Sequence, residues 1–272
     1  MEFTSGSIEN SGVGNSNIAV DVRDVHKAFK GGSFHVYRGL TVKIPKNSVS
    51  FLLGPSGVGK SVLLKHTLGL LKPDRGNIKI FGEDIPYDDK RELNELRKHF
   101  GMLFQNSALF DDFTVYENVA FPLREHRKEI NEQQIRTKVV EKLRAVGLDP
   151  EPTLVKFPSE LSGGMKKRVA LARAIILEPR ILLYDEPTTG LDPVTRAMVD
   201  DLIIQTNQKF GLTSIVISHD ILSALYSADY IGFLFGGKLV FWGTPDQFKN
   251  CNHETVQSFL KAEQRHQKGF NS

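Results

Sequence analysis

From Ile18 to Val25 apolar residues alternate with polar ones, the spacing of a half-buried strand. A second, shorter strand is predicted at Val42–Ile44, closed by the turn residues Pro45, Lys46 and Asn47. Ser48–Leu53 is a short apolar strand that runs into a glycine-rich loop. A helix is predicted from about Lys60 to Leu71, stopping ahead of Pro73. Ile78–Phe81 reads as a short strand. Residues 88 to about 180 read as mostly helical, with one helix over Thr137–Val146 capped by Gly147. Ile181–Tyr184 is continuously apolar, as a strand covered on both faces is, and Thr213–Ser218, with Ile215–Ile217 at its centre, reads as a strand of the same kind. Tyr230–Phe235 and Lys238–Trp242 flank Gly236-Gly237 and predict a hairpin. Thr244-Pro245-Asp246 predicts a helix start, and beyond it Phe248, Cys251, Val256, Phe259 and Leu260 fall at helical spacing.

These elements predict an α/β core with a parallel sheet, an antiparallel β portion and a helical subdomain inserted at roughly 106–175. The core domain is expected over 18–245. Residues 1–17, rich in Gly, Ser and Asn, are expected to be a disordered tail, and 246–272 a C-terminal helical extension.

Composition excludes more than it proposes. A net charge of +3 over 272 residues is too little to argue for nucleic acid by itself, because phosphate-backbone binding needs clustered Lys and Arg, and no nucleic-acid partner is expected. The single cysteine, Cys251, cannot close an internal disulfide and fits a reducing compartment. The longest apolar stretch, Ile175–Tyr184, is broken by Glu178, Pro179 and Arg180, so no membrane span is expected. Any membrane role would come through a partner.

Three local motifs carry chemistry. Gly54-Pro55-Ser56-Gly57-Val58-Gly59-Lys60-Ser61 fits G-x-x-x-x-G-K-[ST] and sits between an apolar strand and a helix. In such a loop backbone N–H groups turn inward around phosphate oxygens, and the helix points its positive end at the same anion. Lys60 would reach the β- and γ-phosphates of ATP, and Ser61 would ligate Mg²⁺. Ile181–Tyr184 ends in two carboxylates: Asp185 would hold Mg²⁺, and Glu186 would polarise the attacking water. Leu161-Ser162-Gly163-Gly164-Met165 is the third motif, opening a long helical run.

The third motif resembles the LSGGQ signature of ABC ATPases, with Met165 departing from the usual fifth residue. The resemblance covers residues from about 18 to 245 and implies an ABC-type P-loop ATPase fold. It further implies that Ser162, Gly163 and Gly164 present a hydroxyl, N–H groups and a helix N-terminus to a phosphate. Gln105, in Met-Leu-Phe-Gln, matches the Q-loop glutamine that contacts Mg²⁺ and the γ-phosphate side. Asp192, in Thr-Gly-Leu-Asp, matches the D-loop, and His219 matches the switch histidine that contacts the γ-phosphate. Phe29 is the candidate for stacking on adenine, with Tyr37 as its competitor. In the family two copies pair head to tail, so the P-loop and the signature motif of one chain serve different nucleotides.

The segment from Leu103 to His126 is similar to the ATPase subunits of bacterial Mla systems, above all in Ser107-Ala-Leu-Phe and Pro122-Leu-Arg-Glu-His. This resemblance implies phospholipid transport with an inner-membrane permease, an MCE-domain lipid-binding protein and a small accessory subunit. It also implies a place on the cytoplasmic face of the inner membrane. Phe110, Phe113 and Val115 are expected to line the groove that receives a permease helix.

Overall fold

The computed structural model describes residues 17–269. The expected tail therefore lies, but for Asn17, outside the described residues. β1 (Ile18–Phe29) pairs antiparallel with β2 (Phe34–Pro45), and β3 (Val49–Leu53) leads through the glycine loop into α1 (Lys60–Thr67). β4 (Arg75–Ile80), β5 (Glu83–Asp84), α2 (Lys90–Arg97) and β6 (Phe100–Leu103) follow. Then come α3 (Val115–His126), α4 (Glu132–Ala145), α5 (Pro150–Thr153) and α6 (Gly163–Ile175). β7 (Ile181–Asp185), α7 (Pro193–Phe210), β8 (Thr213–Ile217) and α8 (Ile221–Ser227) return the chain to the core. The described chain closes with β9 (Tyr230–Phe235), β10 (Lys238–Gly243), α9 (Pro245–Lys249) and α10 (Glu254–Gly269).

Two sheets result. A four-stranded antiparallel sheet runs β2-β1-β4-β5, and a six-stranded sheet runs β10-β9-β3-β8-β7-β6. In the larger sheet β9, β3, β8, β7 and β6 are mutually parallel, and only the edge strand β10 is antiparallel. The continuous apolar runs now have their cause. Phe51, Leu182, Tyr184 and Val216 face a core shared with the helices α3, α4, α6 and α7. Leu52, Ile181, Leu183, Ile215 and Ile217 face the opposite core, shared with α1 and the antiparallel sheet. A strand covered on both faces has no polar side to alternate with.

Several predicted boundaries shift. The stretch read as helical from 88 contains a strand, β6, which pairs in parallel with β7 at the sheet edge. A four-residue run carries too little periodicity to tell strand from helix. α4 starts at Glu132 rather than Thr137, because Asn131 and Gln134 form a capping box ahead of it. α1 closes at Thr67, several residues short of the predicted end, and the buried His66 turns its Nδ1 to the carbonyl of Leu71 at 2.6 Å. β2 is much longer than Val42–Ile44, since register shifts along its pairing with β1 break the simple alternation. Among the described residues no helix is long and apolar enough to cross a membrane.

Candidate functional site

Parallel pairing gathers the carboxyl ends of four strands along one edge. Leu52 is in register with Ile217, Ile217 with Asp185, and Tyr184 with Leu103. The chain leaves these strands as the Gly54 loop, Ser218-His219, Asp185-Glu186 and Phe104-Gln105. In open α/β sheets this edge is where ligands bind.

The glycine loop is wedged between the two sheets. A Cβ on Gly59 (φ 110°) would lie 2.4 Å from Val36 Cγ1, and one on Gly54 would lie 2.5 Å from the Leu234 carbonyl oxygen. Neither position has room for a larger residue. Tyr37 is fully buried and donates its hydroxyl to the Gly59 carbonyl at 2.5 Å; burial pushes that hydroxyl's pKa up. Tyr37 thus braces the loop from beneath, and a ring with no exposed face cannot stack on a base. Phe29, at the end of β1, is 37% exposed and is the one of the two with an open ring.

Lys60 opens α1 and is only 6% exposed. Its ammonium donates to the carbonyls of Gly54 at 2.7 Å and Pro55 at 3.2 Å, and lies 3.6 Å from Glu186 Oε1. Burial pushes its pKa down, against the pull of Glu186 and Asp185. Ser61 donates to Asp185 Oδ1 at 3.3 Å. Burial raises the Asp185 carboxyl, and neighbouring Glu186 adds to this.

Glu186 is held from several sides. Its backbone takes φ 50°, left-handed for a residue with a side chain, and its N–H donates to Ile217 O at 2.9 Å. Such conformations persist only where the surroundings fix them. Oε2 accepts from Thr189 at 2.9 Å and lies 2.8 Å from His219 Nδ1. Burial pushes the Glu186 pKa up, but the hydrogen bonds from His219 and Thr189 outweigh it and hold the carboxyl below its ordinary value. The His219 pKa is raised, chiefly by its hydrogen bond to Glu186. Lys60, Ser61, Asp185, Glu186 and His219 therefore form one connected cluster.

Other predicted residues stand apart from it. Gln105 is exposed, and among the described residues its side chain makes no hydrogen bond; its carbonyl accepts from the buried ammonium of Lys167. Ser162 caps α6, accepting from Met165 N–H at 3.3 Å, and Gly163 and Gly164 have open space where a Cβ would be. No hydrogen bond or ion pair among the described residues joins Ser162, Gly163 or Gly164 to the Gly54 loop. Asp192 caps α7, its Oδ1 accepting from Val194 and Thr195 N–H at 3.0 Å each.

The turn after Gln105 is tightly determined. Ser107 and Ala108 are both left-handed, at φ 62° and 47°. Arg173 donates to the Ser107 carbonyl at 3.0 Å and lies over the Phe110 ring at 5.6 Å. Fully buried Asn118 donates to the carbonyls of Phe110 and Phe113 at 3.0 and 3.1 Å, and its Oδ1 accepts from Phe110 N–H at 2.9 Å. Phe110, Phe113 and Phe121 cluster with centroids 5.1 to 6.2 Å apart, and Phe110 and Phe121 are over a third exposed. Val115 does not belong to this surface: it is fully buried in the helical core, and Phe121 takes the place expected for it. Lys167 and Arg173 were not legible as site residues, because their partners are brought to them only by the fold; Thr189 and Asn118 have partners nearby in the sequence but belong to no recognisable motif. Asn118 alone leaves a trace, as a polar residue on the buried stripe of α3 with Val115, Val119 and Leu123.

The sequence profile of the ABC transporter family matches residues 37–189. With the phosphate loop, the paired carboxylates and the signature segment in place, the chain belongs to the ABC transporter family and is an ATP-binding, ATP-hydrolysing subunit. Among its relatives, "Probable ribonucleotide transport ATP-binding protein mkl" of Mycobacterium leprae is 44% identical over 90% of this chain and 69% of its own length. "Intermembrane phospholipid transport system ATP-binding protein MlaF" of Haemophilus influenzae is 43% identical over 92% of both chains, and that of Escherichia coli K12 is 40% identical over 89% of this chain and 88% of its own. Of solved structures, cbiO1 from Clostridium perfringens, part of the ABC transporter complex cbiONQ, superposes with a TM-score of 0.79 at 29% identity, covering 91% of this chain and 99% of that one. An ATP-binding cassette solved as a dimer in a post-hydrolysis state with ADP and Pi gives 0.72 at 31% identity over 83% of this chain and 98% of that one.

Proposed function

We propose that this subunit hydrolyses ATP with Mg²⁺ at the seam of a head-to-tail homodimer and so drives phospholipid movement across the bacterial envelope. The observation that carries the cargo is the end-to-end likeness to the Haemophilus phospholipid-transport protein, 43% identical over 92% of both chains. The mycobacterial relatives named for ribonucleotide transport are as similar, at 44%, but extend well beyond the matched region. They support a second reading in which a nucleotide is the cargo.

In the proposed site, N–H groups from Gly54 to Ser61 cradle the phosphates and Lys60 neutralises them. The oxygens of Ser61 and Asp185 meet at 3.3 Å, and hard oxygen donors of this kind suit Mg²⁺. Among the described residues no cluster of three or more His, Cys, Asp or Glu could hold a metal, so an ion here would take further oxygens from phosphate and water. Gln105 is the remaining candidate donor. The ion supplies charge neutralisation on the transferred phosphoryl group. Glu186, kept ionised, orients and deprotonates water, while His219 reaches the γ-phosphate. Ser162, Gly163 and Gly164 cap the γ-phosphate held by the other copy, with Asp192 at the seam, and Phe29 stacks on adenine.

The partners follow from the same reading: an inner-membrane permease docking on the Phe110–Phe113–Phe121 surface, an MCE-domain lipid-binding protein and a small accessory subunit. This places the chain on the cytoplasmic face of the inner membrane. Purification of the tagged chain from detergent-solubilised membranes tests the assignment. A polytopic permease accompanied by an MCE-domain protein is the expected outcome; a permease accompanied by a soluble solute receptor contradicts it.

A further inference from the structure

The end of β1, which carries Phe29, is gripped by the loop that follows α1. Asp74 in that loop accepts the Ala28 N–H on Oδ2 at 2.7 Å and the Lys27 ammonium on Oδ1 at 2.6 Å. Asp74 N–H in turn donates to the His26 carbonyl at 2.9 Å. Lys27, whose side chain is only 11% exposed, also donates to the Lys72 carbonyl at 3.1 Å, and its ammonium lies 5.6 Å from the Phe29 ring centroid. One carboxylate thus fixes both the backbone just before Phe29 and the cation packed against its ring.

We propose that Asp74 is a positioning residue for nucleobase recognition: through Ala28 and Lys27 it holds the Phe29 ring where a purine base stacks. This rests on the reading of Phe29 as the base platform. An aromatic ring at the exposed end of a strand, over a third exposed, would otherwise sample several orientations, and stacking would carry the cost of ordering it. A cation held against the ring limits that freedom. The arrangement also ties base to phosphate. Asp74 ends the loop that joins α1, whose first residues are Lys60 and Ser61, to β4, so the same stretch of chain leads from the phosphate end to the support of the base.

Full-length chain carrying Asp74→Ala, Asp74→Asn, Lys27→Met, Phe29→Ala, or Phe29→Ala with Asp74→Ala tests this by titration with ATP and with inorganic triphosphate. Triphosphate has no base to stack. Asp74→Ala is expected to weaken ATP binding about threefold to tenfold, the size of a partly buried ion pair plus a cation–ring contact. Triphosphate affinity and turnover at saturating ATP should stay unchanged. Lys27→Met should reproduce part of the effect. Asp74→Asn, which keeps an acceptor for Ala28 N–H but loses the charge, should fall between Asp74→Ala and wild type. In the Phe29→Ala background Asp74→Ala should cost nothing more, because its effect passes through the ring. Equal losses for ATP and triphosphate, or full additivity with Phe29→Ala, overturn the inference. If Phe29→Ala weakens ATP binding and Asp74→Ala does not, the inference alone falls. If Phe29→Ala leaves ATP binding unchanged, the platform reading falls with it.

Discussion

His219 Nδ1 lies 2.8 Å from Glu186 Oε2, joining the second residue after β8 to the first residue after β7. An ionised carboxylate can only accept, so Nδ1 carries the proton in this pair. The contact orients the carboxylate and raises the imidazole pKa together. It is the clearest sign that the two strand ends act as one site.

Replacing Glu186 by Gln keeps the side chain's shape and removes its basicity. ATP binding should persist, and turnover should fall by at least about two orders of magnitude, the usual size of a positioned general base. Steady-state phosphate release beside a nucleotide titration checks this. Near-normal turnover contradicts the role of Glu186.

The same substitution should be visible at His219. Since the Glu186 carboxylate raises the imidazole pKa, His219 stays protonated in a window above the ordinary histidine value. In Glu186→Gln that window should close, the pKa moving back down. An NMR titration of the His219 ring protons reads it; an unchanged midpoint contradicts the pair.

Much of this site was legible in the sequence because its chemistry is local. Gly54–Ser61 and Asp185-Glu186 are contiguous, and each stands at the end of a strand whose burial shows as a mostly apolar run. What could not be read were the direct contacts between side chains of distant segments. Glu186 and His219 are 33 residues apart, and the chain between them gives no hint of their contact. Phe29 was the candidate and Tyr37 its competitor as aromatic residues near a strand; only the close approach of β2 to Gly59 shows that the Tyr37 ring is buried. β6 was lost in a stretch read as helical, being too short to show a period. Val115 looked like surface because its neighbours Phe110 and Phe113 are, but α3 turns it into the core.

The Gly54–Ser61 loop and the Ser162–Gly164 segment, both proposed to hold phosphate, share no hydrogen bond or ion pair among the described residues, which calls for a test with two chains. A Lys60 variant and a Ser162 variant should each hydrolyse ATP poorly alone. Mixed dimers hold one site with both halves intact and one with both lesions. Activity should therefore appear on subunit exchange, as measured by phosphate release before and after mixing. Activity indifferent to mixing means each chain completes its own site.

The aromatic surface after Gln105 should be separable from the chemistry. Phe113→Asp puts a carboxylate into the Phe110–Phe121 cluster, and burying it against a docked helix without a partner is costly. Co-purification with the permease should be lost, while ATPase activity of the isolated subunit survives. A variant that keeps the permease and couples normally shows that docking occurs elsewhere.

The most direct test of the whole account is ATP-dependent lipid transfer by the assembled complex. The subunit, its permease and the lipid-binding protein are reconstituted in vesicles, and movement of labelled phospholipid to acceptor membranes is followed. The account predicts transfer that requires ATP and stops with Glu186→Gln. ATP-driven movement of a ribonucleotide or another soluble solute, with phospholipid left in place, contradicts it.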